Sequence, residues 1–361
     1  MKAIVLTPVL AGADAVGNDV LAMTRLLRER GIETRVCCNV AHGVDEVTLT
    51  PDQALDFAGG PNDLLIYHFS VGWPAALDIV RRARGFRVVR YHNITPPKFF
   101  APYSIDYEQA CTGGRAEIPA VAALGCELYL GASAFNNADF LAAGVARERT
   151  AVLAPFHRVD QLIAAEADLA LLDELDDGAR NVLMVGRVAP NKGHVEMIDA
   201  FAAYVDAYGD PARLIIIGKA DPRLQAYPDR IRARIDEHRL GGRVRWLDCV
   251  SEAQLKAAYL ASHAFMTLSQ HEGFCVPLIE AMALGTPVIA CGSSAIPETV
   301  GDGGIVWSET DPWLYAASLA RLGEDERFRN TLLDAARARF ESEFSLAVLR
   351  DRFFKALEPI L

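Results

Sequence analysis

The stretch that decides the fold is Ser269-Gln270-His271-Glu272-Gly273-Phe274-Cys275-Val276-Pro277-Leu278-Ile279-Glu280-Ala281-Met282-Ala283-Leu284-Gly285-Thr286-Pro287-Val288-Ile289-Ala290. An apolar run, Ala264–Leu268, stops just before it, and a turn carrying Glu272 and Gly273 follows. Pro277 then stands where proline suits the first turn of a helix. Helical spacing continues to Leu284, Gly285 is a helix stop, and Pro287–Ala290 reads as the next buried strand. Strand, turn and helix in this order leave free backbone N–H groups at the helix start, where the helix dipole favours an anion. Glu272 is an odd neighbour for phosphate but a good acceptor for hydroxyls of a neutral group attached to it. Glu280, about one turn inside the helix, is placed to accept from a ribose diol. The pattern points to a sugar nucleotide.

The same rhythm of short apolar run, turn and amphipathic helix extends in both directions. Towards the N-terminus of this half, strand candidates are Asn181–Val185, Leu214–Ile217 and Val244–Leu247, and Ile305–Trp307 follows later. Helices fit Gly193–Tyr208, Ile231–Arg239, Glu252–Ser262 and Asp311–Leu322. An earlier series, Ala3–Leu6, Arg35–Cys38, Leu64–Tyr67, Val88–Tyr91, Leu128–Leu130 and Thr150–Leu153, forms a first half, with helices such as Asn18–Arg30 and Pro74–Arg84. Asn18 is a plausible N-cap there. Strands alternating with helices predict an α/β fold with parallel sheets wrapped on both faces. Asp160–Asp177 is charged and Ala/Leu-rich without a strand signal, so the boundary is placed near Gly178, giving domains 1–177 and 178–344. The end of the chain, from about Arg327, is helical with a break near Phe344–Ser345.

The 361 residues are 51% hydrophobic and 23% charged, which excludes a largely disordered chain. Net charge is −11, a poor balance for nucleic acid or anionic lipid. The first 165 residues carry 15 basic and 17 acidic side chains, and the remainder 21 and 30. A basic patch therefore has room in the first half; Arg81, Arg82, Arg84, Arg87 and Arg90 are its candidates. Seven cysteines without a Cys-x-x-Cys suggest reduced thiols and a cytoplasmic protein. The start, Lys2 and the apolar Ala3–Leu10 followed by Ala13-Asp14-Ala15, loosely mimics a signal peptide but reads as a first buried strand and turn.

A second informative run is Val185-Gly186-Arg187-Val188-Ala189-Pro190-Asn191-Lys192-Gly193-His194. Arg187 and Lys192 flank a tight turn after the first strand of the second half and can converge on one anion. A planar fork and a mobile point charge suit a diphosphate. The two runs, EGFCVPLIEAMALGTPVI and GRVAPNKG, resemble the signature blocks of the retaining glycosyltransferases of family 4 (group 1), which have the GT-B fold. The resemblance covers residues 180–300 closely and the first half through layout alone.

It implies two Rossmann-like domains facing across a cleft, the donor mostly in the second and the acceptor mostly in the first. The terminal helix, 345–361, is expected to return to the first domain. Arg187 and Lys192 would stabilise the leaving diphosphate and Glu272 would bind donor-sugar hydroxyls. Gly186 and the backbone amides of Gly273, Phe274, Cys275 and Val276 would line the donor site, with Glu280 on the ribose and the base near Leu247–Val250. Cys275 departs from the family's usual glycine. In the first half, His92 in Tyr91-His92-Asn93-Ile94-Thr95-Pro96 matches the family histidine at the sugar site. Gly12 and Gly17 partially match its glycine-rich turn. His68 suits a structural or acceptor-pocket role, and Ser133 a helix cap or a ligand contact. Phe99, Phe100 and Tyr103 either contact acceptor or pack their loop.

The implied reaction moves a sugar with retention from a nucleotide-diphosphate donor to a hydroxyl of a saccharide or lipid-linked acceptor, in polysaccharide or glycoconjugate biosynthesis. No cofactor is expected beyond the nucleotide sugar as co-substrate. No Asp-x-Asp occurs, so metal independence is expected, with cations and helix N-termini neutralising the leaving group. No nucleic-acid partner is expected; the location is cytoplasmic, with the first domain's arginines as candidates for peripheral contact at the inner membrane face. Two other readings stay open: a sugar-nucleotide epimerase of the same architecture, and a sugar-nucleotide-binding subunit without turnover.

Overall fold

The computed structural model describes every residue except Ala13, which belongs to the Ala13-Asp14-Ala15 triplet. The chain forms two units. The first comprises Met1–Pro97, Asp106–His157 and Ser345–Leu361, and the second Lys98–Ile105 and Arg158–Phe344.

The first unit holds a seven-stranded parallel sheet in the order Thr48–Leu49, Glu33–Cys37, Lys2–Leu6, Leu64–Phe69, Phe86–Tyr91, Leu128–Gly131, Thr150–Val152. Burial on both faces explains why its central strands are nearly continuous apolar runs; all six residues of Leu64–Phe69 are buried. The first helix is Ala15–Glu29, and its N-cap is Asp14, whose carboxylate accepts the Gly17 N–H at 2.6 Å. Asn18, expected as the cap, lies inside the helix: an aspartate at the turn's exit claims the free N–H first. Two short strands escaped the sequence reading, Val9–Ala11 and Val40–His42, which pair in a separate ribbon.

The second unit holds a six-stranded parallel sheet in the order Val244–Leu247, Ala212–Ile217, Arg180–Val185, Ala264–Thr267, Val288–Cys291, Ile305–Trp307. In sequence order this is 3-2-1-4-5-6, the doubly wound Rossmann arrangement. Its direction of winding reverses between Arg180–Val185 and Ala264–Thr267. Ligand sites of such sheets lie at that switch point, beyond the carboxyl ends of the strands.

Two segments, 158–177 and 98–105, divide differently from the sequence expectation. Residues 158–177 belong to the second unit, because helices Val159–Ala164 and Leu169–Leu175 pack on Glu252–Leu260. Lys256 reinforces this by donating to the carbonyls of Ile163 and Ala165. Residues 98–105 also count with the second unit, where Tyr103 accepts from Arg230 at 2.6 Å and its ring meets Tyr227 edge-on. The final helix, Leu346–Leu357, belongs to the first unit, where Phe353 packs edge-on against Phe156. A five-residue π-turn, Phe340–Phe344, separates it from Glu326–Arg339. Among the described residues no helix is long and apolar enough to cross a membrane.

Candidate active site

In the second unit both signature runs start at the switch point. After Val185 the chain enters Gly186, at φ +152°, and reaches Arg187, which is exposed and forms no ion pair among the described residues. A short 3-10 turn, Pro190–Lys192, ends on Gly193, the N-cap of helix His194–Tyr208. Gly193 is required twice over. Its φ of +69° is left-handed, and a Cβ there would lie 1.9 Å from the Leu268 carbonyl oxygen. This close approach seats the first run on the second. The Asn191 carbonyl accepts the Gln270 N–H at 2.8 Å, and the Asn191 side chain donates to the His271 carbonyl at 2.9 Å.

The result is an ion pair between residues 80 apart in sequence: Lys192 Nζ lies 2.7 and 2.8 Å from the two Glu272 oxygens. Glu272 is buried at 6% exposure. Its backbone is also held, the N–H by Ser294 Oγ at 2.7 Å and the carbonyl by the Ala295 N–H at 3.3 Å. Ser294 and Asn191, which position the pair, carried no sequence signal.

Cys275 is the N-cap of helix Val276–Leu284 and sits at φ +78°. That is glycine's region, so the departure from the resembled pattern replaces glycine at a position whose backbone favours it. The thiol is buried, and burial together with the Glu272 charge pushes its pKa well up. It is a neutral packing group, not a nucleophile. Glu280 is half-buried and accepts from Tyr259 Oη at 2.8 Å. Burial raises its pKa while the tyrosine hydrogen bond opposes the rise. Val250, half-buried, lies between strand Val244–Leu247 and the capping box of Ser251 and Gln254 that opens the next helix.

In the first unit, His92 follows strand Phe86–Tyr91. Its Nε2 lies 3.0 Å from Nδ1 of His68, a fully buried residue of the neighbouring strand. Arg90, also fully buried, donates through Nε to Asp19 Oδ2 at 2.7 Å and through a terminal nitrogen to the Leu153 carbonyl at 2.7 Å. The other Asp19 oxygen accepts the Phe156 N–H at 2.8 Å. Asp19 Oδ2 is 3.6 Å from His92 and 3.8 Å from His68. Burial pushes both histidine pKa values well down; at His68, His92 and Arg90 add to the fall and Asp19 opposes it, and at His92 the Arg90 charge adds to it, so both rings are neutral. Aspartate and two histidines are a metal-ligand type of cluster. Here the guanidinium already supplies the cation on Oδ2, and the group reads as a hydrogen-bonded network.

Arg90 thus leaves the proposed basic surface patch: alternation along the strand turns it inward, towards Asp19 of the first helix. Of its companions, Arg82 pairs with Asp78 and Arg87 with Glu127. Gly12 donates to the His42 carbonyl at 3.1 Å, and a Cβ there would meet the Gly43 oxygen at 2.3 Å. Ser133 caps helix Ala134–Ala142, accepting the Asn136 N–H at 3.3 Å. Phe99 lies 6.2 Å, centroid to centroid, from the His271 ring.

Residues 173–339 match the family model described as glycosyl transferases group 1. D-inositol 3-phosphate glycosyltransferase of Corynebacterium efficiens is 31% identical over 218 residues, 54% of this chain and 50% of that one. Phosphatidyl-myo-inositol mannosyltransferase of Mycolicibacterium smegmatis is 30% identical over 173 residues, 46% of this chain and 42% of that one. The chain thus spans about half, or less, of these curated relatives' length. Among solved structures, Anabaena Alr3699/HepE in complex with UDP and glucose matches at TM-score 0.77 and 17% identity, over 99% of this chain and 100% of that one. Sucrose-phosphate synthase of Thermosynechococcus elongatus matches at 0.75 and 17%, over 100% and 99%. At such identities the likeness is one of fold: two Rossmann-like domains, as in GT-B proteins.

Proposed function

We propose that this chain, whose residues 173–339 match the model of the group 1 glycosyl transferases, transfers a sugar from a nucleotide diphosphate to a hydroxyl of a saccharide or lipid-linked acceptor in glycoconjugate biosynthesis. The observation that carries this reading is the Lys192–Glu272 pair at the switch point, with Arg187 exposed earlier in the same run as Lys192. Two cations for a diphosphate and a carboxylate for sugar hydroxyls are the groups such a donor needs. Glu280, held by Tyr259, is assigned to the ribose, and the segment ending at Val250 to the base. Gly12, Gly186 and the amides of Gly273, Phe274, Cys275 and Val276 are assigned to donor contacts.

In the proposed reaction the anomeric C–O bond to the diphosphate breaks as the acceptor oxygen bonds to the same carbon from the same face. The acceptor's proton passes to a diphosphate oxygen. Retention then needs no protein nucleophile, and Glu272 remains a hydroxyl acceptor. Charge builds on the leaving diphosphate, where Arg187 and Lys192 act without a metal ion. His92 is assigned a ligand contact through Nδ1, since Nε2 is committed to His68.

A thermal-shift screen with UDP-, GDP- and ADP-sugars tests the donor class, because a ligand of the folded state raises the unfolding temperature. Product analysis with the stabilising donor and an acceptor panel follows. Arg187→Ala and Lys192→Ala are each expected to lower turnover by orders of magnitude while the fold survives; near-normal turnover in both would sink the assignment. An altered sugar formed without acceptor would identify an epimerase.

A further inference from the structure

The Lys192–Glu272 pair has a consequence for ligand choice that rests on the functional reading above. Both partners are rooted: Gly193 packs against the Leu268 carbonyl, and Glu272 is held through both its N–H and its carbonyl. Both carboxylate oxygens lie on one ammonium group. An incoming anion therefore either shares the ammonium with Glu272, facing its negative charge, or draws Lys192 away from a carboxylate that is 6% exposed. A diphosphate carrying a sugar brings hydroxyl donors that restore hydrogen bonds to the carboxylate. A free nucleoside diphosphate brings none to Glu272, its ribose hydroxyls being assigned to Glu280, and leaves a buried carboxylate short of donors and facing a second anion, a costly arrangement.

We propose that Glu272 makes the site select a sugar-linked diphosphate over the free diphosphate, by withholding Lys192 from any anion that brings no hydroxyl donors. The same residue would then favour departure of the spent nucleotide after transfer. Exposed Arg187, which has no ion-pair partner among the described residues, is not subject to this competition.

The test is calorimetric titration of the full chain with UDP, GDP and ADP and with the glucose conjugate of each, for wild type, Glu272→Gln and Glu272→Ala. Removing the carboxylate charge should tighten the free diphosphate at least about tenfold, since a like charge beside a bound anion is penalised strongly. The preference for the conjugate should fall by a similar factor, and inhibition by the free diphosphate should strengthen in parallel. A merely structural role would weaken both ligands together. Free-diphosphate affinity at or below the wild-type value, in variants whose unfolding midpoints show them folded, overturns the proposal. Glu272→Ala, which places no amide in the turn, provides a second chance of a folded variant. Failure of wild type to bind any of the six ligands would instead overturn the functional reading and this inference with it.

Discussion

Helix His194–Tyr208 is bracketed by two left-handed glycines, Gly193 at φ +69° and Gly209 at φ +64°. They differ in one respect. A Cβ on Gly209 meets nothing within 4 Å, whereas one on Gly193 would lie 1.9 Å from the Leu268 carbonyl oxygen and 2.5 Å from its carbon. Substituting each by alanine separates backbone conformation from close approach. Left-handed strain costs about 1–2 kcal/mol, and alanine's smaller unfolded-state freedom returns about 0.4–1 kcal/mol. Gly209→Ala should therefore cost about 1 kcal/mol. Gly193→Ala carries the same penalty plus about 1–3 kcal/mol for forcing packed backbone apart, about 2–4 kcal/mol in all. The displaced atoms belong to Leu268, the residue that follows strand Ala264–Thr267, so the change also moves Lys192 relative to Glu272. Urea unfolding followed by tryptophan emission weights the second unit, which contains Trp246, Trp307 and Trp313, while Trp73 reports on the first. Donor binding should fall with Gly193→Ala and persist with Gly209→Ala. Equal destabilisation by the two substitutions would refute the argument that contact between the two signature runs requires Gly193.

Asp19→Asn leaves Arg90 buried without a counter-charge, so the first unit should lose about 3–5 kcal/mol, measured as a lower midpoint for its transition. His68 and His92 are held neutral when folded, with pKa values well below 6.5. The unfolded chain thus binds more protons below about pH 6.5, and stability should decline as pH falls through that range. His68→Asn should flatten this acid limb; an unchanged slope would contradict the neutral pair. Glu280 has the opposite sign: its folded pKa is raised above 4.5. Its contribution is full below the unfolded pKa and is lost as pH rises through the folded one. Glu280→Gln should therefore lose less stability than wild type on going from pH 4 to pH 7, by denaturant titration at each pH.

Strand and helix positions were largely legible because side-chain periodicity is a local property. Val244–Leu247 and Ile305–Trp307 were read with their observed ends, and the break expected near Phe344–Ser345 falls at the end of the π-turn Phe340–Phe344. The misreadings concern choices between local and distant partners. Asn18 and Asp14 are both good caps, and Arg90 reads as a surface residue until a carboxylate 71 positions away is brought beneath it. Helices Val159–Ala164 and Leu169–Leu175 carry no mark of which unit they join.

By itself, then, the sequence determined the alternation of strands and helices, the two signature runs and the chemical types of the site residues, all properties of neighbouring positions. Strand order was decided by tertiary structure alone. Placing Arg180–Val185 beside Ala264–Thr267 made one site of two runs 80 residues apart and paired Lys192 with Glu272. The physical reason is that parallel pairing is non-local: each strand must find its neighbour across a crossover. Which side chains then meet depends on the packing of the whole unit.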